Sequence, residues 1–223
     1  MFKSVVWSST IDYPNQVSTV LFVGICNWDC KYCYNRNLIN NQAIDFNQQI
    51  LPKLIDRKTF INHIVISGGE CTCYDGIGGV IKKLKEKGFI VGIHTNGSNF
   101  TMLKKIIHNI DFIGMDIKTS TISRYEKISN SKINFSLLCE SVKFIIESNI
   151  QYEFRTTLYP LYVNIYDCIM IAKLLKELNA DKYVLQQYDN TFGDNNVKPY
   201  SITYLRDVQK QCNKIIPTIL KGW

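Results

Sequence analysis

Short apolar segments rich in β-branched residues alternate with helical patterns along this chain. Six of these segments predict strands, over residues 18–23, 63–67, 89–95, 112–117, 152–158 and 182–188. Repeated strand–helix units predict parallel βαβ connections with right-handed crossovers. A closed eight-fold barrel typically needs about 250 residues, whereas this chain has 223. The expected fold is therefore an α/β, incomplete and laterally open (β/α)6 barrel.

The composition predicts one globular domain over residues 1–223, ending in a loop and a helix from about residue 189. Hydrophobic residues make up 46% of the chain and charged residues 20%, as in ordinary soluble proteins. No apolar run is long enough to span a bilayer, and no secretory signal is expected. A cytoplasmic location follows, where eight cysteines favour metal ligands or buried thiols over disulfides.

The net charge of +7 invites a nucleic-acid interpretation. However, the lysines are scattered, and their densest group, at residues 81–87, lies on a predicted helix that has its own apolar face. A solvated helix face explains this group better than nucleic-acid binding. We therefore expect no nucleic-acid partner, and at most a weak preference for an acidic one.

Three cysteines lie close together in the loop at residues 24–36, directly after the first predicted strand. Cys26, Cys30 and Cys33 have the spacing C-x3-C-x2-C. Three thiolates can bind three irons of a four-iron cluster and leave the fourth iron open. The spacing does not match the usual zinc pairs, and no histidine is near in sequence. A zinc knuckle and a buried group of thiols are the alternatives.

The stretch CNWDCKYC, at residues 26–33, resembles the cluster loop of the radical S-adenosylmethionine (radical SAM) enzymes. Three further motifs come at the ends of predicted strands in matching order: SGGE at 67–70, HTNG at 94–97 and MDIK at 115–118. The resemblance implies a barrel of the radical SAM type, with one [4Fe-4S] cluster and S-adenosylmethionine (SAM) as cofactors. The implied cluster ligands are Cys26, Cys30 and Cys33.

The same resemblance implies a set of SAM-binding residues, namely Tyr32, Gly68, Gly69, Glu70, Asn96, Asp116, Lys118, Arg155 and Gln187. Tyr32 would pack against adenine, and the turn ending in Glu70 would hold the methionyl amino group. The residues at later strand ends would bind ribose, groups near the sulfonium or the carboxylate. Arg155 suits a carboxylate, and Gln187 suits ribose or adenine.

Resemblance over nearly the whole chain extends to a narrower group, the activating enzymes of anaerobic ribonucleotide reductase, which are cousins of the pyruvate formate-lyase activators. It rests on residues 9–22 (including IDYP), on the four motifs above, and on 152–158 and 183–188. Two positions depart from that group: Ile25 replaces the glycine before the first cysteine, and Cys71 replaces a proline. Cys71 and Cys73 are open to interpretation as extra ligands, a redox pair or small buried residues.

This narrower resemblance implies an oxidoreductase of the EC 1.97.1 type. Reductive cleavage of SAM would give a 5′-deoxyadenosyl radical, which would abstract hydrogen from a glycine of the reductase to form its glycyl radical. The implied partners are that glycyl-radical reductase subunit and a low-potential electron donor such as flavodoxin or ferredoxin. The alternatives are a radical SAM enzyme acting on a peptide or on a small molecule, such as a deazapurine precursor, and a non-catalytic iron–sulfur carrier or sensor.

Overall fold

A computed structural model describes residues 1–190 and 196–222 of the chain. The chain divides into two compact units. The first comprises Met1–Asn27, Asn35–Gly114 and Ser148–Gln151, and the second comprises Trp28–Tyr34, Met115–Glu147 and Tyr152–Trp223. The predicted single domain over residues 1–223 stays a prediction.

Within the described ranges lie eight strands, seven α-helices and four short helical turns. The strands are β1 (Phe2–Tyr13), β2 (Gln16–Val23), β3 (His63–Gly68), β4 (Ile90–Thr95), β5 (Phe112–Asp116), β6 (Gln151–Leu158), β7 (Tyr183–Gln187) and β8 (Thr218–Lys221). The α-helices are α1 (Leu51–Arg57), α2 (Ile77–Glu86), α3 (Phe100–Ile106), α4 (Ile122–Ser129), α5 (Phe135–Glu147), α6 (Ile165–Glu177) and α7 (Ile202–Asn213). Short turns of 3₁₀ or π type occupy Arg36–Asn40, Phe46–Ile50, Cys71–Cys73 and Ile107–Asn109.

The first unit contains an antiparallel strand that the sequence did not predict. Strand β1 pairs antiparallel with β2, whereas β2 pairs parallel with β3 and β3 parallel with β4. The first predicted strand is thus the second strand of the chain. Tyr13, Val20, Val65 and Phe112 form a buried cluster in this unit. The helix predicted around residues 81–87 is present as α2, and Val80, Ile81 and Leu84 form its buried face. The Asn99 side chain caps α3.

The second unit ends in a strand rather than in the predicted terminal helix. Helix α7 is followed by β8, which pairs parallel with β7, and β7 pairs parallel with β6. The predicted loop from residue 189 includes residues 191–195, which lie outside the described residues. Tyr125, Phe154 and Tyr183 are large, fully buried side chains of this unit.

The strands are ordered in the sheet as they are in the chain, from β1 to β8. In the first unit β2, β3 and β4 are parallel neighbours, so their carboxyl ends lie at the same edge of the sheet. This carboxyl edge is where α/β folds place their sites.

Among the described helices, none is long and apolar enough to cross a membrane.

Candidate functional site

Three predicted site segments of the first unit begin where neighbouring parallel strands end. The cysteine loop follows β2, which ends at Val23, and the glycine-rich turn follows β3, which ends at Gly68. Asn96 follows Thr95, the last residue of β4. The structure therefore brings the first cysteine, the Gly68–Glu70 segment and Asn96 to one edge of this unit, as the sequence predicts.

Glu70 is a buried carboxylate whose oxygens accept hydrogen bonds from four groups of the first unit. Its side chain is 1% exposed. Oε1 accepts from the Thr72 N–H at 3.0 Å, the Thr72 hydroxyl at 2.6 Å and the Thr95 hydroxyl at 2.7 Å. Oε2 accepts from the Asn96 N–H at 2.6 Å. These bonds join the turn after β3 to the end of β4.

Four donors match the usual acceptor capacity of a carboxylate. Burial raises the pKa of Glu70, and the hydrogen bonds from Asn96, Thr72 and Thr95 oppose that rise. The structure thus gives Glu70 a role in positioning Thr95 and Asn96, whereas its predicted contact with a methionyl ammonium stays a prediction. Thr72 and Thr95 were not predicted as site residues. A hydroxyl two residues after a glutamate is a local signal for Thr72, whereas Thr95 lies 25 residues from Glu70.

Gly68 and Gly69 let the cysteine loop approach the turn closely. The φ angle of Gly68 is 109°, a backbone conformation that residues with a Cβ rarely adopt. A Cβ on Gly69 would overlap the Ile25 carbonyl oxygen and lie 3.1 Å from Cys26 Cβ. The Gly69 N–H donates to the Val23 carbonyl at 2.9 Å, and the Glu70 N–H donates to the Ile25 carbonyl at 2.7 Å. The backbone around Cys26 is therefore held directly against this turn.

Asn96 and His94 extend the network of the first unit. Asn96 Nδ2 donates to Asn27 Oδ1 at 3.0 Å, and Asn96 Oδ1 accepts from the Ser98 hydroxyl at 2.6 Å. His94 Nε2 lies 3.0 Å from the Asp12 carbonyl oxygen, so the IDYP segment is anchored to the end of β4. Asn96 and His94 thus link the cysteine loop and the β1 segment to β4.

In the second unit, two buried cations share one carboxylate. Lys118 and Arg155 are 8% and 7% exposed. Lys118 Nζ donates to Asp116 Oδ2 at 2.9 Å, and Arg155 Nε donates to Asp116 Oδ1 at 3.0 Å. Burial acts to lower the pKa of Lys118, but the charges of Asp116, Tyr32 and Cys30 outweigh it and raise that pKa well above its ordinary value. The cations exceed the carboxylate by one formal charge, which favours an anionic ligand.

Tyr32 lies in an aromatic cluster of the same unit. Its ring centroid is 5.0 Å from that of Tyr159 and 6.3 Å from that of Tyr188, and Lys118 Nζ lies 5.5 Å from the ring centroid of Tyr32. The Tyr32 side chain is 6% exposed. Its hydroxyl is buried without a hydrogen-bond partner in the described part of the chain. The predicted adenine contact stays a prediction.

The segment of the loop that carries Cys30 is docked on the end of α4. The N–H groups of Asp29 and Lys31 donate to the carbonyls of Ser129 and Ile128, each at 2.9 Å. Those carbonyls belong to the last turn of α4, where the carbonyl groups of a helix have no N–H donors within the helix itself. The Trp28 ring packs edge-on against Tyr125 of α4 at 5.7 Å. Backbone bonds and a buried aromatic thus fix the start of this segment.

Residues 28–34, which include Cys30 and Cys33, belong to the second unit, and Cys26 to the first. All eight cysteines lie in the described ranges and none is in a disulfide. Across residues 1–190 and 196–222, no three His, Cys, Asp or Glu side chains are already grouped to hold a metal ion. Thiolates are the usual protein ligands of iron–sulfur clusters, so the three thiols of the motif fit such a cluster.

Gln187, a predicted SAM-binding residue, is the last residue of β7, and its predicted contact with ribose or adenine stays a prediction.

Comparison with known proteins agrees with this arrangement. The family model of the radical SAM superfamily matches residues 20–178. A protein of Methanocaldococcus jannaschii, described as a candidate glycyl-radical enzyme activating enzyme, is 32% identical over 202 residues, or 85% of this chain and 80% of that protein. The 7-carboxy-7-deazaguanine synthase of Haemophilus influenzae is 35% identical over 104 residues, or 47% of this chain and 45% of that protein.

A solved structure supports the fold. A domain of a pyruvate-formate lyase-activating enzyme from Bacteroides vulgatus superposes with a TM-score of 0.57 at 15% identity, covering 71% of this chain and 98% of that one. At this identity the likeness concerns the fold alone. It confirms the predicted fold class, an α/β incomplete and open (β/α)6 barrel.

Proposed function

Because the chain belongs to the radical SAM superfamily, we propose that it is a glycyl-radical enzyme activase whose substrate is a protein. The observation that carries this proposal is the 32% identity to a described candidate activase over 85% of the chain. The chain spans most of that relative, so the likeness is not limited to the cluster loop.

Membership in the superfamily implies one [4Fe-4S] cluster and SAM as cofactors. We assign the cluster to Cys26, Cys30 and Cys33 on the strength of their motif. The cluster that these three thiols would hold would supply the electron for reductive cleavage of SAM. The backbone bonds around Cys26 and those of Asp29 and Lys31 hold the ligand segments in place.

The remaining site residues take roles that follow from their contacts. Lys118 and Arg155 carry more charge than Asp116 neutralises, which suits them to bind the methionyl carboxylate. Gly68 and Gly69 are assigned to the methionyl end by resemblance, and Glu70 positions Asn96. Tyr32 and Gln187 remain assigned to adenine and ribose by resemblance.

The protein substrate that we propose is anaerobic ribonucleotide reductase. This finer assignment rests on the IDYP segment and the motifs quoted above, which resemble the activators of that reductase. The chain would abstract hydrogen from a glycine α-carbon of the reductase, and delocalisation over the adjoining amides would stabilise the glycyl radical. A low-potential donor such as flavodoxin or ferredoxin would supply electrons, and the work would be anaerobic and cytoplasmic.

The test is anaerobic reconstitution followed by two measurements. With reductant and SAM, we expect 5′-deoxyadenosine from the native protein and from C139A, which changes a helical cysteine far in sequence from the motif, but not from C30A. With the reductase added, we expect a glycyl radical by electron paramagnetic resonance that requires both proteins. A cluster that forms but never yields 5′-deoxyadenosine, even with the reductase, would contradict the proposal and favour a carrier or sensor.

The second candidate is a radical SAM enzyme acting on a small molecule such as a deazapurine precursor. The 35% identity to a deazaguanine synthase over 104 residues favours it, but that likeness spans less than half of either protein. The two candidates separate in one experiment. If a deazapurine precursor, and not the reductase, stimulates 5′-deoxyadenosine formation and is itself converted, the small-molecule function holds.

A further inference from the structure

We infer that Asp167 is a positioning residue, which holds the segment after β5 so that the Lys118 ammonium is fixed in place for the carboxylate of SAM. The inference deepens the proposed function and rests on it, because that function assigns Lys118 to the methionyl carboxylate. Asp167 lies near the start of α6, outside the sequence motifs of the site.

Asp167 is a fully buried carboxylate that accepts hydrogen bonds from four groups of the second unit. Its exposure is 0%. Oδ1 accepts from the Thr119 hydroxyl at 3.0 Å and from the Ser120 hydroxyl at 2.9 Å. Oδ2 accepts from the Asn164 N–H at 3.0 Å and from Arg124 Nη1 at 2.5 Å. Because a buried charge is costly unless it is paired and hydrogen-bonded, these donors are what allow the side chain to be charged here.

Capping of α6 explains only one of the two carboxylate oxygens. Asp167 is the third residue of α6 and completes a capping box, in which its Oδ2 accepts from the Asn164 N–H. The other oxygen, Oδ1, takes no part in the box, and its two hydroxyl donors come from residues 119 and 120, beyond the end of β5. A cap for α6 would need neither hydroxyl, so Oδ1 serves the segment that follows β5.

The backbone around Lys118 is fixed on both sides. Residues 117–119 directly follow β5 and have no regular secondary structure, so bonds to neighbouring elements set their path. Before Lys118, the Ile117 carbonyl accepts from the Thr156 hydroxyl of β6 at 2.7 Å. After Lys118, Asp167 holds the next two residues. Lys118 therefore lies between two anchors, one on β6 and one on α6.

The charges of the second unit agree with this role. Arg124 pairs with Asp167, so the Asp167 carboxylate has a cation of its own. Lys118 and Arg155 therefore keep one formal charge more than Asp116 neutralises. Because a lysine ammonium sits on a flexible four-carbon stem, fixing its backbone limits where it can lie. Asp167 thus acts through the segment and needs no contact with the ligand.

The first measurement is the rate at which an acetylating N-hydroxysuccinimide ester modifies Lys118 in the full-length, cluster-free protein, read by peptide mass spectrometry. D167N and the double variant T119V/S120A should be modified at Lys118 several-fold faster than the native protein, because each weakens the bonds that hold residues 119 and 120. The control is N164A, which removes the side chain that caps α6 but leaves both hydroxyls on Asp167 Oδ1. It should leave the rate at Lys118 unchanged.

The second measurement is SAM binding to the cluster-loaded protein by anaerobic equilibrium titration, with decarboxylated SAM as the probe that lacks the carboxylate. D167N and T119V/S120A should bind SAM about tenfold more weakly, the factor that one hydrogen bond to a charged group usually carries. Both should bind decarboxylated SAM as the native protein does. T119V/S120A carries both measurements if D167N does not fold, since it keeps the Asp167 charge and the capping box.

The inference is overturned if T119V/S120A leaves the rate at Lys118 unchanged, if N164A raises it as much, or if SAM and decarboxylated SAM lose affinity equally. Neither measurement involves a reductase or a glycyl radical, so such a failure leaves the proposed activation of a protein substrate standing. Conversely, if both measurements give the expected results and no glycyl radical ever forms, the proposed protein substrate fails and the role of Asp167 stands.

Discussion

At the scale of single residues, two carboxylates of this protein are stabilised in different ways. Glu70 is buried and accepts hydrogen bonds from four neutral donors. Asp116 is partly exposed and faces two cations. Hydrogen bonds from neutral donors fix the orientation of a carboxylate. Where two cations face one carboxylate, a net positive charge remains. Glu70 therefore orients the groups around it, and the two cations at Asp116 carry one more formal charge than that carboxylate.

Asp116→Asn should destabilise the fold by about 3 kcal/mol, because it leaves Lys118 and Arg155 buried without a counter-charge. The measurement is urea unfolding at pH 7. Asp207→Asn, on the exposed side of α7, is the matched control and should change stability by less than about 0.5 kcal/mol. Equal effects of the two substitutions would contradict the assigned role of Asp116.

The loss of stability in Asp116→Asn should also depend on pH. The raised pKa of Lys118 means that its stabilisation is present below the unfolded pKa of about 10.4 and is lost as the pH rises through the folded pKa. Without Asp116, burial becomes the main influence on Lys118, and the folded-state pKa of Lys118 falls. As the pH rises, Lys118 of the variant loses its proton, and the cost of burying its charge disappears. The stability gap between native protein and Asp116→Asn should shrink from pH 7 to pH 10. A gap that widens would refute this account.

Glu70→Gln should cost about 1–3 kcal/mol, because the amide nitrogen cannot accept from the donors that the lost oxygen served. Amide hydrogen exchange at Asn96 should become faster, since its N–H bonds to Glu70 Oε2. Glu86→Gln is the control. Glu86 is exposed on α2 and forms a 4.0 Å ion pair with Lys82, so the loss of this pair should cost less than about 0.5 kcal/mol.

Two glycine-to-alanine substitutions test two different reasons for a glycine in this chain: close contact between backbone segments at Gly69, and an open position within a helix at Gly79. Gly69→Ala should destabilise the protein by about 1–3 kcal/mol and reduce iron loading, because the new Cβ overlaps the Ile25 carbonyl beside Cys26. Gly79→Ala, within α2 and with nothing within 4 Å of its Cβ, should instead stabilise by about 0.4–1 kcal/mol. Denaturant unfolding and iron analysis would show whether the two alanines act in opposite directions.

The sequence identified the segments of the candidate site but could not identify their partners. Motif spacing at strand ends predicted that Glu70 and Asn96 belong to one edge, because parallel neighbours end together. That Asn96 donates to Glu70 depends on contacts 26 residues apart, which no local pattern encodes. For the same reason Arg155, within β6 rather than at its end, was predicted to bind a ligand carboxylate, and its bond to Asp116 was not foreseen.

At the scale of elements, the end of α4 supports the cysteine loop. Asn130 follows this helix with a φ of 50°, a left-handed conformation that costs a residue with a Cβ about 1–2 kcal/mol. Asn130→Ala should accelerate hydrogen exchange at the Asp29 and Lys31 amides, which bond to the last carbonyls of α4. Asn130→Gly tolerates the conformation and should preserve protection. Equal exchange in both variants would show that the helix end does not control the loop.

The two strands absent from the prediction lack a strong local signal. In β1 only Phe2 and Tyr13 are buried, because this strand is at the edge of the sheet and its pairing with β2 contains three register shifts. Residues 5–10 alternate between half-buried and exposed, but the apolar residues Val5, Val6 and Trp7 are consecutive, so the sequence has no period-two pattern to detect. Strand β8 is four residues long, shorter than the commonest strand length of about 5–6 residues, so its sequence pattern is short. The buried parallel strands were predicted to within two residues because each is rich in β-branched or aromatic residues.

At the scale of the whole molecule, SAM should stabilise the cluster-loaded protein by mass action. At a SAM concentration of 100 times Kd the gain is about 2.7 kcal/mol, which for a chain of this size raises Tm by about 5–10 °C. Anaerobic differential scanning calorimetry with and without SAM measures the shift. C139A should shift like the native protein, and C30A should not. A shift of the same size in C30A would show that SAM binds without the cluster.

The strand order has a consequence for how the protein is made. Since the strands of the sheet follow the order of the chain, each strand leaving the ribosome finds its partner already synthesised just before it. At about 5–20 residues per second, the stretch from the start of β3 at His63 to the end of β4 at Thr95 emerges within seconds. Sheet growth can then keep pace with translation, so that each newly exposed edge awaits only the next strand of the same nascent chain.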